Sequence, residues 1–450
     1  MTEQRADHEE EGPTRTSEAG ASAILNYGGG QVSFQYRPEM FSVLSHRGSS
    51  TRALGEAELH AALDSPVGAP PLEGGLRATD DVLIVVPDAT RAAGADRVVP
   101  VLRKRLNAAG VPDSRISILI GGGSHRLPTP AEVVSILGPE MPRALAVHTH
   151  DSRDPNASVY LGKTSRGTPV ELNRRVVEAG RLILVGAVGF HYIAGFSGGR
   201  KGLLPGCASE RSVRAHHLLA FDPDTLSQRA GVATGRLEGN PVHENLEEAA
   251  RMIKPPFLFN TVVNDANDIV AAYAGDLGRA HRRACEEYAA AHSAAVDARR
   301  PLVVASCGGS PRDINLIQSH KAIEHASGAL EEGGVMVVLA ECPQGLGRDD
   351  FLDWFVPGGA RATARRLVEN YHVNGQTAWG LRWKSERFRI LLVSSLDPGV
   401  VRGVGLEPHA SLASALGAAG RGRGYILPNA AATLPSLSPA GGVGGGPLNL

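Results

Sequence analysis

The chain has 450 residues, a mass of 47.2 kDa and a formal net charge of −1. So small a net charge gives no long-range attraction to nucleic acid or to an anionic membrane, and we expect neither as a partner. The apolar runs fall short of the roughly 18 residues that cross a bilayer, and the acidic N-terminus lacks the apolar segment of a secretory signal. The four cysteines are scattered without a Cys-x-x-Cys pair, which argues against a disulfide framework or a thiolate zinc site. These features indicate a cytoplasmic enzyme with room for two or more domains.

The predicted elements of the first half are short buried strands that alternate with helices. Residues 1–22 are polar and small and predict a disordered tail. Three later runs are rich in β-branched residues and lack polar alternation, as expected of buried parallel strands. These runs are residues 81–86, 115–120 and 182–186. Residues 98–109 and 246–253 carry apolar side chains at helical spacing, so the pattern as a whole predicts an α/β fold.

A second α/β unit is predicted near residue 300. Residues 277–299 are rich in alanine and charge and predict a helix that joins the two units. The strands predicted after it are residues 301–306, 335–339 and 389–393. The domains expected are an N-terminal domain over residues 23–285, a C-terminal domain over residues 286–425, and a C-terminal segment over residues 426–450 that ends in a Gly/Pro-rich tail.

Polar residues follow the predicted strands at the points where the strands end. Asp88, Thr90 and Arg91 follow the first strand, His125 the second and His191 the third. Ligands of open α/β sheets bind outside the carboxyl ends of the strands, so these residues predict one shared site. Two other interpretations remain: Asp88 as an ordinary helix cap beside a surface arginine, and His125 as a solvated loop histidine.

Residues 191–206 contain the densest set of reactive groups. The Ser197-Gly198-Gly199 loop has little side-chain bulk and predicts close backbone approach to an anion, with Arg200 and Lys201 adding positive charge. A desolvated Lys201 amine is also a nucleophile. Together with His191 and the pair His216-His217, this loop indicates a phosphorylated cofactor, either tethered or metallated. Vicinal histidines face different ways on a helix, so at most one of the pair is expected to point into the site.

Other known site motifs are missing or ambiguous. The chain has no P-loop spacing and no His-Glu-x-x-His. Gln318 and Lys321 are three residues apart and lie on one face if their segment is helical, either at a site or on a solvated surface. The turn at residues 239–244 is expected to be structural.

Taken in order, these motifs resemble those of the nickel-dependent lactate racemase family. The resemblance covers roughly residues 25–430 and is carried by Asp88-Ala-Thr-Arg91, Gly-Gly-Gly-Ser-His125, the run from His191 to Lys201, His217, residues 239–243 and the stretch from Asp313 to Lys321. It implies two α/β domains with mostly parallel sheets and the active site in the cleft between them. It also implies a nickel-pincer nucleotide as cofactor, made by separate cofactor-maturation enzymes, and a small 2-hydroxy acid as substrate.

The resemblance assigns a role to each matching residue. Lys201 matches the lysine that forms a thioamide with the cofactor, and His217 matches the histidine that completes nickel coordination. His125 and His191 match the two acid/base histidines. The cofactor's ribose and phosphate are expected at Asp88, Thr90, Ser197, Gly198, Gly199 and Arg200. The substrate carboxylate is expected at Arg91 and Lys321, with Gln318 beside them.

The implied reaction is racemisation or epimerisation through a 2-keto acid. One histidine takes the hydroxyl proton while the C2 hydride moves to the cofactor, and the hydride then returns to the other face. Ile317 stands where the lactate enzyme has a tyrosine near the substrate, so the substrate is expected to be lactate, a larger or more apolar 2-hydroxy acid, or a sugar acid. Two alternatives stay open: a phosphate-handling enzyme that uses the loop from Ser197 to Lys201 for a nucleotide, and a non-catalytic cofactor carrier.

Overall fold

The computed structural model of the chain describes residues 20–48 and 52–437. Its strands are β1 Ala21–Tyr27, β2 Gly30–Tyr36, β3 Phe41–Val43, β4 Val82–Pro87, β5 Ile116–Gly121, β6 Ala146–Thr149, β7 Ser158–Lys163, β8 Pro169–Asn173, β9 Arg181–Ala187, β10 Phe190–His191, β11 Gly195–Phe196, β12 Phe257–Val263, β13 Ile269–Asp276, β14 Ser293–Val296, β15 Arg300–Ser306, β16 Leu330–Leu339, β17 Arg389–Val393, β18 Glu407–His409, β19 Gly424–Leu427 and β20 Leu434–Leu437.

The helices cover both sheets and the connections between them. They are α1 Glu56–Asp64, α2 Ala95–Ala108, α3 Pro130–Leu137, α4 Met141–Ala144, α5 Arg174–Glu178, α6 Glu210–Leu218, α7 Pro241–Ala250, α8 Leu277–His292, α9 Leu316–Ala326, α10 Gly359–Glu369, α11 Val373–Arg387, α12 Pro398–Gly403 and α13 Leu412–Ala419. Short 3₁₀ helices occur at Asp113–Arg115, Gly199–Gly202, Ser327–Ala329 and Asp349–Trp354. None of the described helices is long and apolar enough to pass through a bilayer.

The first sheet has the strand order β13-β12-β9-β4-β5-β6. All its pairs are parallel except β12 with β13. The first five residues of β4 are buried, as expected of a strand that is covered on both faces. The three runs predicted as buried parallel strands are thus confirmed, and they lie side by side at the centre of this sheet as β9, β4 and β5.

Helix α2 covers one face of this sheet and follows directly on the loop after β4. Its fully buried Val98, Leu102 and Leu106 recur every four residues and so form one apolar stripe. Burial of each such side chain contributes about 1.5–3 kcal/mol, and Leu102→Ala is expected to cost about 2–5 kcal/mol. The helix begins after Gly94, whose φ of 64° suits glycine and whose Cβ would lie 2.5 Å from the Ile269 side chain. This packing helps to fix the loop that carries Asp88.

The second sheet has the order β18-β17-β16-β15-β19-β3 and is parallel throughout. Strand β3 is its edge, and the hairpin β1–β2 packs on the same apolar cluster as β15–β17. The hairpin turn is also anchored there, because the backbone N–H of Gly28 donates to Asp313 Oδ2 at 2.7 Å. Residues 23–43, which were predicted to belong to the N-terminal domain, thus pack with the second sheet: β3 is one of its strands, and the separate two-stranded sheet β1–β2 buries its apolar face against it.

The segment predicted as one helix over 277–299 also differs from the prediction. Helix α8 ends at His292, and the next four residues form β14, which pairs in parallel with β20. Ser293-Ala-Ala-Val296 is apolar enough for either state, and the partner strand, whose paired residues lie 141 positions later, decides it. Of the predicted tails, residues 1–19 and 438–450 lie outside the described residues, while Ala21 and Ser22 begin β1.

Candidate active site

The carboxyl ends of β4, β5 and β9 place three predicted site residues at one edge of the first sheet. Strand β4 pairs with β5 on one side and with β9 on the other. Asp88 therefore lies between the loops that carry His125 and His191. The prediction that these loops meet follows from the parallel pairing itself, because parallel strands end at the same edge.

Asp88 and His125 form a hydrogen-bonded pair. His125 Nδ1 lies 2.7 Å from Asp88 Oδ2, and the hydroxyl of Thr90 donates to Asp88 Oδ1 at 2.6 Å. Burial raises the pKa of Asp88, but the hydrogen bonds from His125 and Thr90 outweigh it and hold that pKa below its ordinary value. The carboxylate accepts the Nδ1 proton of His125, so the neutral ring presents the lone pair of Nε2. Since the His125 side chain is 37% exposed, this nitrogen is accessible to a ligand.

His191 has a different environment, without a carboxylate partner. Its Nδ1 accepts the backbone N–H groups of Ile193 at 3.3 Å and Ala194 at 3.2 Å, which leaves the proton of the neutral ring on Nε2. Desolvation lowers its pKa well below the ordinary value, and the positive charges of Lys201 and Arg91 lower it further. The ring is therefore neutral at physiological pH. It stacks on Tyr192 with centroids 5.4 Å apart.

Close glycine packing positions Lys201. A Cβ on Gly199 would lie 2.3 Å from the Leu258 side chain, and one on Gly186 would lie 2.7 Å from the backbone nitrogen of Gly199. The loop therefore lies directly against β9 and β12, and only glycine permits that approach. The Lys201 side chain is half-buried. Desolvation first, and then the charges of Arg91 and Arg200, lower its pKa well below the ordinary value. Desolvation thus favours the neutral form of the amine, the form that acts as a nucleophile.

The loop is less open to an anion than its sequence predicts. The N–H of Gly199 donates to Asn260 Oδ1 at 2.7 Å, that of Ser197 to the Gly189 carbonyl at 2.9 Å, and that of Lys201 to the Gly198 carbonyl at 2.9 Å. The Ser197 hydroxyl donates to the Ala187 carbonyl at 2.8 Å. Most donors of the expected cradle are thus engaged with the protein itself.

Arg200, which the resemblance assigns to the cofactor phosphate, is also engaged with the protein interior. Its buried guanidinium donates to His281 Nε2 at 2.6 Å and to His243 Nδ1 at 2.7 Å. Burial lowers its pKa to about 10, so it stays charged. His243 in turn contacts Glu247 at 3.3 Å, which supplies a negative charge to this interior cluster. Through these contacts with the protein interior, the side chain of Arg200 stabilises the loop.

The two vicinal histidines of α6 face different ways, as predicted. His216 is buried, with Nδ1 at 3.0 Å from Asn245 Nδ2. His217 is half-buried, and its Nδ1 lies 2.8 Å from the hydroxyl oxygen of Tyr371. Desolvation, with the charges of Lys201 and His125, lowers the pKa of His217 to about 3. His217 is therefore a neutral imidazole near Lys201, as a metal ligand requires.

The second domain contributes the predicted carboxylate-binding residues from helix α9. Asn315 caps this helix by accepting the N–H of Gln318, and Lys321 Nζ donates to Gln318 Oε1 at 3.1 Å, so the two side chains share one face as predicted. Both are exposed, as is Arg91 on the first domain. Desolvation against the protein, with the charges of Arg91 and Arg312, lowers the pKa of Lys321 to about 8.

Ile317 and the turn at 239–244 have mainly structural contacts. Ile317 is half-buried and packs against the main apolar cluster. The turn begins helix α7: Asn240 caps it by accepting the N–H of Val242 at 3.0 Å. The amide nitrogen of Asn240 also donates to the Ile193 carbonyl at 3.0 Å and thus holds the loop that follows His191.

Several residues that hold the site were missed by the sequence analysis. Tyr371, Asn260 and His281 contact His217, Gly199 and Arg200 respectively, each across more than sixty residues of chain. No short motif surrounds any of them. Only the pairing of distant segments reveals their role.

Comparison with known proteins identifies both halves of the chain. Residues 27–227 match the model of the lactate racemase N-terminal domain, and residues 296–425 match that of the lactate racemase C-terminal domain. The lactate racemase of Thermoanaerobacterium thermosaccharolyticum is 31% identical over 341 residues, which are 74% of this chain and 78% of the relative. That of Lactiplantibacillus plantarum is 32% identical over 300 residues, which are 66% of this chain and 69% of the relative.

Solved structures give the same result. The lactate racemase apoprotein from Thermoanaerobacterium thermosaccharolyticum superposes with a TM-score of 0.82 at 26% identity, over 92% of this chain and all of that one. A protein from Thermotoga maritima gives a TM-score of 0.60 at 20% identity over 86% of this chain and 99% of its own, a likeness of fold alone. The expected α/β architecture and the expected isomerase class are confirmed, and this chain belongs to the lactate racemase family.

Proposed function

We propose that the protein interconverts the stereoisomers of a 2-hydroxy acid with a nickel-pincer nucleotide as cofactor. One observation carries the proposal: the desolvated amine of Lys201 lies close enough to the imidazoles of His217 and His191 to lower their pKa values, and His217 is affected by His125 in the same way. In a lactate racemase family chain, this set provides an attachment point, a metal ligand and two acid/base groups.

The described residues fit this cofactor. A desolvated amine suits a thioamide link, and an imidazole that uses only Nδ1 within the protein keeps Nε2 for a metal. No group of three His, Cys, Asp or Glu side chains in the described residues is arranged to hold a metal ion. His217 is the residue that would hold the nickel of a bound cofactor, through Nε2. The fit is weaker at the phosphate, because Arg200 and most N–H groups of the 197–201 loop have protein partners.

The side chains supply the remaining chemistry. When bound, the cofactor would supply the acceptor for the C2 hydride. Arg91 and Lys321 would hold the substrate carboxylate from the two domains, so that the 2-keto acid stays bound while its carbonyl turns. His125, held by Asp88, presents a lone pair on Nε2 and can take a hydroxyl proton at once. His191 is the proposed acid/base group for the other stereoisomer, and to take a proton on Nε2 it must first release the contacts of Nδ1 with the N–H groups of Ile193 and Ala194. Each general base contributes about 10²–10⁴-fold.

The substrate proposed is a 2-hydroxy acid, with lactate as the reference compound. Ile317 lacks the ring and hydroxyl group of the tyrosine that the resemblance places near the substrate. An apolar, branched side chain at this point favours a substrate whose own side chain is larger or more apolar than the methyl group of lactate. Sugar acids form the third class to test.

The first experiment is intact-protein mass spectrometry with nickel quantification on protein that is co-expressed with the cofactor-maturation enzymes. We expect an adduct on Lys201, about one nickel per chain, and racemisation of at least one chiral 2-hydroxy acid by the same sample. Protein without adduct and nickel, from a host shown to make the cofactor, would sink the proposal and favour the phosphate-handling alternative. A loaded protein whose His125/His191 double variant keeps its cellular function would favour the carrier.

A further inference from the structure

His217 is held from the opposite domain by Tyr371. This tyrosine lies in the short connection between α10 and α11, and His217 lies in the last turn of α6. The two rings have centroids 5.5 Å apart, and the hydroxyl oxygen is 2.8 Å from His217 Nδ1. The same hydroxyl donates to the amide oxygen of buried Gln376 at 2.6 Å.

This chain of hydrogen bonds fixes the position of a proton. A phenol has one proton, and with the Gln376 amide oxygen turned toward it, Tyr371 donates that proton to Gln376. In this amide orientation the Tyr371 oxygen accepts the Nδ1–H of His217. The neutral imidazole consequently keeps its lone pair on Nε2. Histidines that bind metals are commonly oriented in this way, by a hydrogen bond from the nitrogen that does not bind the metal.

Neighbouring contacts stabilise the same interface between the α6 region and helices α10 and α11. Arg214, on the same helix as His217, donates to the Glu369 carbonyl at 2.8 Å at the end of α10. Phe221 packs edge-on against Trp379 of α11 with centroids 4.5 Å apart. On the other side, Thr377 of α11 lies close enough to Tyr192, which stacks on His191, to affect the pKa of its hydroxyl. The residues just before α11 and its first turns therefore lie beside both the predicted metal ligand and the neighbour of a predicted base.

We propose that Tyr371 is a positioning residue for the metal: it sets the Nδ1–H tautomer of His217 and makes nickel retention depend on the docking of the C-terminal domain. This inference rests on the proposed function for the identity of the metal. The tautomer itself is a property of the protein without cofactor.

The first test measures the tautomer in the apoprotein. Protein labelled with ¹⁵N in its histidines is examined by long-range ¹H–¹⁵N correlation spectra, with His217→Gln to assign the signals. We expect a lone pair on Nε2 in the parent protein and a shift toward Nε2–H in Tyr371→Phe. Tyr273→Phe is the matched control, because it removes a hydroxyl that donates to Glu287 away from the site. A parent His217 that carries its proton on Nε2 overturns the proposal.

The second test measures nickel retention in the loaded protein during a chelator challenge. Loss of an outer hydrogen bond to a metal ligand typically lowers metal affinity about 10–100-fold, and we expect this for Tyr371→Phe with the Lys201 adduct still present. Arg214→Ala weakens docking but leaves the hydrogen bond, so its loss should be clearly smaller and its tautomer unchanged. Equal retention in Tyr371→Phe and parent, or equal losses in Tyr371→Phe and Arg214→Ala, overturns the proposal.

The outcomes separate this inference from the proposed function. If the parent protein never acquires an adduct or nickel, the proposed function fails, while the apoprotein spectra still decide whether Tyr371 sets the tautomer. If the parent loads normally and Tyr371→Phe retains nickel equally well, the inference fails and the proposed function stands.

Discussion

Two groups of charged and titratable side chains meet at the candidate site, and their surroundings differ. The inner cluster (His191, Lys201 and His217) is half-buried at the edge of the first sheet, and desolvation is the largest cause of the lowered pKa of each member. The outer cluster (Arg91, Gln318 and Lys321) is exposed and comes from both domains. The inner cluster is held by strand ends and glycine contacts. The outer cluster is held by a loop and one helix face.

This difference assigns different tasks to the two clusters. Fixed, half-buried positions serve groups that form bonds or move protons, because those groups need a defined protonation state. Exposed cations serve recognition of a substrate that must enter and leave. Changes in the inner cluster should therefore abolish chemistry, and changes in the outer cluster should alter KM and specificity.

The largest effect is expected for Lys201→Ala. Without the amine no covalent adduct can form, so racemisation should fall to the level of enzyme-free solution while the chain stays folded. Intact mass, nickel content and circular dichroism check this, with Lys163→Ala on exposed β7 as the control. An adduct of the same mass on the alanine variant would move the attachment elsewhere.

Replacement of the acid/base histidines should come next. We expect His125→Asn and His191→Asn each to lower kcat by about 10²–10⁴-fold with little change in KM, since each removes a proton acceptor and leaves the carboxylate contacts. Kinetics with both enantiomers measure the effect, and His409→Asn on β18 is the control. A change in KM alone would mean that these histidines bind the substrate and do not move protons, which would contradict the tasks assigned to the two clusters.

The role of the outer cluster in substrate binding should appear in the pH dependence of KM. With a pKa of about 8, Lys321 is charged below that pH and loses its charge as pH rises through it. We expect KM to rise up to about tenfold between pH 7 and 9, because a neutral amine does not pair with a carboxylate. In Lys321→Arg the guanidinium stays charged, so the profile should flatten in this range. A parent KM that is constant from pH 7 to 9 would contradict the assignment.

The smallest effect is expected for Ile317→Tyr. Restoring a ring and hydroxyl near the substrate should shift the ratio of kcat/KM values toward lactate by about tenfold, the scale of one changed pocket contact. Measurement of lactate against a larger apolar 2-hydroxy acid in parent and variant checks it. An unchanged ratio would place the specificity determinant elsewhere in the outer part of the site.

The sequence predicted the parts of the fold and site that depend on local pattern. Apolar β-branched runs mark β4, β5 and β9, because strands buried on both faces need such residues. Residues directly after those strands had to meet, since parallel strands share an edge. The spacing of Gln318 and Lys321 fixed their common helix face in the same way.

Only the tertiary structure decided features that depend on distant partners. The first hairpin lies on the second sheet, β14 pairs with a strand 141 positions later, and Arg200 turns inward to His243 and His281. The hydrogen bond from His217 to Tyr371 joins residues 154 positions apart. Local pattern reports which residues prefer burial and at what period, but it contains no record of which segment will cover them. The buried strands and the polar residues that follow them could therefore be predicted from the sequence, whereas the direction of each functional side chain was set by packing between distant segments.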